Sequence, residues 1–327
     1  MEKYCFGIDI GGTTIKIGLF RTDGELVEEW RIPTRVGNNG QFFYDDAAAS
    51  IKDKMKERGI TLEEVRGVGI DIPGPVREDG SIGIGSNIGT TDGYPAKEIS
   101  ARLSGIRSKV TNDANAAGLG ECWMGAGKGC SSLVLVTLGT GVDGAVIVDG
   151  KIIAGIHGTG GEIGHITVEP DEKEACGCGN HGCLEQYASA TGIVRVAKRL
   201  VCSGDPMEPV DSSREAMYPN CRVAAFGDAL TAKDVCDLAR DGDVIALRAL
   251  DFSMDCLGRI LASLMYVTDP EIFVIGGGVA EAGDILLDML REKIRKYIPL
   301  CGTQTAAVVP AKLGNKAGIY GAAALVL

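Results

Sequence analysis

Tyr4-Cys5-Phe6-Gly7-Ile8-Asp9-Ile10-Gly11-Gly12-Thr13-Thr14-Ile15-Lys16-Ile17-Gly18-Leu19-Phe20 opens the chain. Two β-branched, apolar runs meet at a Gly-Gly turn, and a third run follows the turn at Asp23-Gly24. This pattern predicts three successive strands at 4–10, 14–20 and 26–32. A second meander is predicted at 132–138, 144–148 and 152–153, again turned on glycines. Each half then continues in mixed helix and strand. The natural inference is an α/β fold made by internal duplication, with a cleft between the copies.

Working outward, 46–58 has helical composition and ends at Gly59, and 65–71 reads as a strand stopped by Ile72-Pro73-Gly74-Pro75. Residues 81–95 form a Gly- and Ser-rich loop carrying Asn87. A helix near 96–103, a short strand at 109–111 and a helix from Asp113 complete the first half. In the second half, helices are expected at 190–202, 231–239, 243–267 and 284–297. A buried strand at 272–275 enters Gly276-Gly277-Gly278, and 314–327 reads as a small-residue helix. Residues 203–228 are polar and read as a surface excursion.

Composition narrows the function classes. The 327 residues are 45% hydrophobic and 24% charged, as in an ordinary globular enzyme. A net charge of −11 with no basic run argues against nucleic acid, whose binding depends on neutralising phosphates. No apolar run reaches membrane-spanning length, and the first strand follows directly on Met1-Glu2-Lys3, so neither a membrane partner nor a signal peptide is expected. Eleven cysteines, several in apolar settings, point to a reducing, cytoplasmic location.

Five motifs carry chemistry. The turn Asp9-Ile10-Gly11-Gly12-Thr13-Thr14 turns backbone N–H groups and hydroxyls to one side, which suits phosphate oxygens, and Asp9 could orient Mg²⁺ through water. An ordinary glycine hairpin is the plain alternative. Leu138-Gly139-Thr140-Gly141 repeats that chemistry, so two turns could hold one polyphosphate. Gly276-Gly277-Gly278, between a strand and a helix, would let a nucleotide lie on bare backbone or simply allow close packing. No Gly-x4-Gly-Lys-Ser/Thr motif is present. Asn112-Asp113-Ala114-Asn115 starts a helix with more polar side chains than capping requires. The helix N-terminus keeps a carboxylate ionised, so Asp113 could accept the proton of an attacking hydroxyl.

The fifth motif is Glu162-Ile163-Gly164-His165 followed by Cys176-Gly177-Cys178-Gly179-Asn180-His181-Gly182-Cys183-Leu184-Glu185. His165, Cys176, Cys178 and Cys183 supply the four ligands of a structural Zn²⁺ site. His181 is a competing ligand, and reduced buried thiols or a redox pair are the alternatives to a metal. Glu162 and Glu185 flank this knot, where a metal would fix both carboxylates for a polar ligand.

Taken together, these motifs resemble the ROK family (repressors, open reading frames, kinases) of the sugar-kinase and actin superfamily, and within it the bacterial ATP-dependent glucokinases. The likeness runs from Gly7-Ile8-Asp9-Ile10-Gly11-Gly12-Thr13 to the C-terminal helix and is most specific at 162–165 and the cysteine knot. It implies duplicated actin-like (ribonuclease H-like) domains, at 1–112 plus 312–327 and at 113–311, with an interdomain cleft. It further implies a cytoplasmic homodimer that binds a hexose and ATP·Mg²⁺ and phosphorylates the sugar 6-hydroxyl. Asp113 would be the general base. Asn87, Asn112, Asp113, Glu162, His165 and Glu185 would bind the sugar, His165 using one ring nitrogen for zinc and the other for sugar. The nucleotide would meet Asp9, Gly11, Gly12, Thr13, Thr14, Gly139, Thr140, Gly141, Gly276, Gly277 and Gly278. The chain departs from the family pattern at Thr91, where many family glucokinases carry Trp, at Asp143 and Ala145, which intrude on the second phosphate turn, and in the excursion at 203–228, which is longer than typical. N-acetylmannosamine, N-acetylglucosamine, fructose and allose are alternative substrates, and a sugar-sensing repressor is the rival class.

Overall fold

The computed structural model describes residues 2–35, 37, 40–83, 93–211, 215–301 and 305–327. The opening meander forms β1 (Tyr4–Ile10), β2 (Thr14–Arg21) and β3 (Leu26–Pro33), antiparallel neighbours in register Asp9↔Lys16 and Lys16↔Arg31. α1 (Gln41–Arg58) starts earlier than its composition suggested and stops at Gly59 in a left-handed conformation. β4 (Val65–Ile72) pairs parallel with β1, α2 (Pro95–Arg102) follows, and β5 (Ser108–Asn112) pairs parallel with β4 before running into α3 (Asp113–Met124). The sheet order is β3-β2-β1-β4-β5.

The later meander gives β6 (Leu133–Leu138), β7 (Val142–Val148) and β8 (Lys151–Ile152). Next come α4 (Glu185–Ala188), α5 (Ala190–Ser203), α6 (Ala232–Arg240) and α7 (Val244–Thr268), then β9 (Ile272–Gly276), α8 (Asp284–Tyr297), β10 (Ala307–Pro310) and α9 (Ala317–Ala324). The second sheet runs β10-β9-β6-β7-β8, with β9 and β10 parallel. β10 and α4 were not anticipated. Each is only four residues long, too short for a period to show.

Alternation along β1 and β2 decides the packing of the first sheet. Phe6, Ile8, Ile10, Ile15, Ile17 and Leu19 are buried together with Phe43, Ala47 and Ile51 of α1. Each such large side chain contributes roughly 1.5–3 kcal/mol by leaving water. The residues between them face the other way, where glycine admits α9. A Cβ on Gly69 would lie 1.6 Å from the Ala322 carbonyl oxygen. α3 meets α9 just as closely, since a Cβ on Gly321 would lie 1.6 Å from the Ala116 oxygen.

Contacts divide the chain into two compact units: Met1–Leu135 with Ala145–Gly161 and Ala311–Leu327, and Val136–Gly144 with Glu162–Pro310. This grouping differs from a division at 112/113, because α3 is held to α9 through backbone-to-backbone contact at glycine. The excursion after α5 folds back on that helix, Met217 N–H donating to Cys202 O at 2.9 Å and Tyr218 N–H to Val201 O at 3.0 Å. Among the described residues no helix is long and apolar enough to cross a membrane.

Candidate active site

The first unit gathers its polar residues where β1, β4 and β5 end. Parallel register puts Asp9 beside Asp71, Asp71 beside Thr111 and Ile72 beside Asn112. Asn112 caps α3, its Oδ1 accepting from Asn115 N–H at 2.8 Å. Asp113 is therefore the first helical residue. Its Oδ1 accepts from Ala114 N–H at 2.9 Å, and its side chain remains exposed. At the end of β1 the turn at Gly11, Gly12, Thr13 and Thr14 stands open, held by Gly11 N–H to Thr14 O at 3.1 Å and by Thr34 Oγ1 to Gly11 O at 2.6 Å. Asp9 forms an ion pair with Lys16 at 2.8 Å.

Asp71 was not singled out from the sequence. It is 1% exposed, and neither of its oxygens has a donor among the described residues. Burial first, then the Asp9 and Asp113 charges, pushes its pKa well above the usual carboxylate value. The Lys16 ammonium, paired with Asp9, opposes that rise. The sequence did hold a signal: an acidic residue inside the apolar run 68–72 that ends at Pro73.

In the second unit, Leu138, Gly139 and Thr140 border a cavity of about 420 Å³, whose other walls include Ala232, Cys236 and Arg240 of α6, with Gly278 and Val279. The three glycines after β9 have separate surroundings. Gly276 is buried in the strand, and Gly277, at φ +82°, would press a Cβ to 2.4 Å from the Leu138 oxygen. Gly278 borders the cavity with nothing crowding its Cα. At the second turn, a Cβ on Gly141 would lie 2.3 Å from Glu185 Oε2, and the same oxygen accepts from Val142 N–H at 3.4 Å. Asp143 is exposed on β7, yet local desolvation and the Glu185 charge raise its pKa against an opposing pull from His165.

The cysteine knot comes together as the spacing predicted. One ligand atom from each of His165, Cys176, Cys178 and Cys183 lies within 4.8 Å of every other. Cys178 Sγ and Cys183 Sγ are 3.7 Å apart, and Cys176 Sγ is 3.9 Å from His165 Nδ1. Sulfurs on neighbouring corners of a Zn²⁺ tetrahedron stand about 3.8 Å apart, so the set fits that ion. Burial and its thiol neighbours push Cys183 up to about 12, while a hydrogen bond to the Asn180 backbone lowers Cys178. Such crowded thiols resist ionising together unless a cation joins them. His181 instead directs Nδ1 to Glu172 O at 3.1 Å, away from the competing role.

Glu162 starts the short turn that carries His165, whose N–H donates to Glu162 O at 3.2 Å. Glu185 begins α4 and accepts from Cys176 Sγ at 3.5 Å. A buried network backs the knot: Glu172 accepts from Arg199 at 2.8 and 3.0 Å and from Tyr187 Oη at 2.7 Å. Asn87 and Thr91 lie outside the described residues.

Known proteins are similar to this chain over nearly its whole length. A model described as the ROK family matches residues 5–327. A glucokinase of Halalkalibacterium halodurans is 38% identical over 326 residues, covering 99% of this chain and 95% of that protein. A ROK hexokinase structure from Thermus thermophilus aligns with TM-score 0.79 at 30% identity, covering 98% and 97% of the two chains. A ROK family glucokinase from Streptomyces griseus, solved with glucose and AMPPNP, aligns with TM-score 0.70 at 32% identity over 98% of each chain.

Proposed function

The chain belongs to the ROK family, and on that premise we propose that it is an ATP-dependent hexose kinase acting on the 6-hydroxyl of glucose, with Asp113 as general base. One observation carries this reading. The exposed carboxylate of Asp113 stands at a helix N-terminus immediately after a parallel strand, its Oδ1 held by the Ala114 N–H, in the sheet whose β1 runs into an open glycine turn. Phosphoryl transfer asks mainly for alignment and charge stabilisation, so one fixed base suffices. Asp113 accepts the 6-hydroxyl proton as that oxygen bonds to the γ-phosphorus, and the bond to ADP breaks on the opposite side.

Asn87, Asn112, Glu162, His165 and Glu185 bind the remaining hydroxyls in this proposal. With Nδ1 of His165 facing Cys176, Nε2 is left for the sugar. The turns at Gly11–Thr14 and Gly139–Gly141, with Gly278, receive the nucleotide. Bound Mg²⁺ neutralises phosphate charge, and Asp9 is the residue offered towards it. His165, Cys176, Cys178 and Cys183 would hold Zn²⁺, which supplies a fixed, cationic anchor for the loop.

The expected duplication is supported by strand order. Numbered from its own meander, each sheet runs third, second, first, fourth, fifth. The interdomain cleft and the homodimer follow from the resemblance and are part of the proposal. A coupled assay with ATP·Mg²⁺ across a panel of hexoses and N-acetylated hexosamines tests it. Glucose is expected to give the highest kcat/KM, a better N-acetylated substrate would move the protein within its family, and no turnover with any hexose would remove the assignment.

A further inference from the structure

The segment that begins α4 and α5 is tied at both ends. At one end it grows directly out of the knot: only Leu184 separates the ligand Cys183 from Glu185, Gln186 N–H donates to Cys183 O at 2.9 Å, and Cys183 N–H donates to Gln186 Oε1 at 3.1 Å. At the other end it grips the second glycine turn at every residue. Ala190 N–H donates to Gly139 O at 2.8 Å, and Thr191 Oγ1 donates to Thr140 O at 2.9 Å. Glu185 Oε2 packs against Gly141 and accepts from Val142 N–H. Ser189 caps α5 through Gly192 N–H at 2.9 Å and sits 3.0 Å from Thr191 Oγ1, which fixes the rotamer of that hydroxyl. Gly139, Thr140 and Ala190 all border the 420 Å³ cavity.

We infer that Thr191 is a positioning residue for the nucleotide, holding the 139–141 turn in its binding shape, and that residues 183–191 make this shape depend on the metal held by the knot. The physical reason lies in what fixes a glycine turn. Gly139 has nothing within 4 Å of its Cβ position, so no side chain packing restrains it there. The turn closes on itself through Gly139 N–H to Gly141 O at 3.0 Å, and α5 restrains the Gly139 and Thr140 carbonyls that remain; α5 is positioned by α4, whose first turn lies two residues after the ligand Cys183. Loss of the ion therefore loosens a phosphate site that contains none of its ligands. The inference rests on the nucleotide reading of the cavity and deepens it.

Calorimetric titration of the full, zinc-replete chain with AMPPNP·Mg²⁺, and separately with glucose, tests it. Removing one neutral hydrogen bond in Thr191→Val should weaken AMPPNP binding about five- to tenfold. Zinc content should stay unchanged, and glucose affinity should stay within about twofold. Thr191→Ser keeps the hydroxyl and should restore wild-type nucleotide affinity. A Thr191→Val protein that binds AMPPNP as tightly as wild type overturns the inference, as does a loss that Thr191→Ser fails to restore. Wild type stripped by a chelator, with its circular dichroism unchanged, should lose at least about tenfold in AMPPNP affinity. Undiminished affinity in that folded, metal-free protein overturns the dependence on metal. If stripping unfolds the chain, the Thr191 pair decides alone. Wild type that binds no AMPPNP while folded and zinc-replete removes the nucleotide reading itself, a result distinct from every variant outcome above.

Discussion

The two glycine turns look alike in sequence and are held in different ways. At Gly11–Thr14 the loop is a hairpin tip, and a Cβ on Gly12 would meet nothing within 4 Å. At Gly139–Gly141 the carbonyls are taken by α5, and Glu185 fills the space where a Cβ on Gly141 would go. Both turns join neighbouring strands, β1 to β2 and β6 to β7, and each closes on a backbone hydrogen bond of its own. The first is braced from outside by Thr34, one strand away, and the second by the start of α5, which follows the cysteine knot. Similar local chemistry thus answers to different parts of the chain, and substitutions should tell them apart.

The largest difference should come from the knot. Cys178→Ser removes the exposed ligand of the set and should lower zinc affinity more than roughly 100-fold, read by metal analysis of the purified protein. The comparison fails if zinc and AMPPNP affinity both survive. Next is Gly141→Ala, whose methyl must displace Glu185 Oε2. Urea unfolding should register about 1 kcal/mol of lost stability, the low end of overpacking, because the obstructing atom is the far end of a flexible side chain. A neutral Gly141→Ala would mean that the second turn is as free as the first.

The strand that leads into the first turn lies beside a buried carboxyl, Asp71 of β4. Asp71 has a pKa raised above its ordinary value of 3.8, so its neutral form favours the folded state fully below that value. That contribution is lost as pH rises towards the folded pKa, because the unfolded chain ionises freely while the buried group does not. Asp71→Asn should therefore stabilise the protein at pH 7 by roughly 1–2 kcal/mol, with the gain vanishing as pH falls below about 4. A gain independent of pH would assign the effect to packing instead. The smallest effect belongs to Gly12→Ala, expected to alter stability by no more than about 0.5 kcal/mol in the same unfolding assay.

Much of this was legible because period and punctuation agreed. The strands at 4–10 and 26–33, the α8 helix and the four-ligand knot lie where alternation, capping and spacing put them. Elements four residues long, such as β10 and α4, carry no period, although α4 joins the knot to α5. Asp71 was hidden for a different reason. Its importance comes from parallel pairing with Asp9, some sixty residues earlier, and no local pattern reports a neighbour across a sheet. The grouping of α3 with α9 is also non-local: it depends on glycines at 120 and 321 that separately look like ordinary helix breakers. The triplet 276–278 read as one motif, yet its members occupy a strand interior, a backbone contact and a cavity wall.

The assignment of Asp113 is tested most directly by the kcat of Asp113→Asn with glucose and ATP·Mg²⁺, measured on protein that still binds glucose by calorimetry. The side chain keeps its size and its place at the start of α3 but can no longer take a proton. A fall of about 10³-fold or more is the expected result for a lost general base. Turnover within tenfold of wild type would contradict the account, and some other group would have to receive the proton of the 6-hydroxyl.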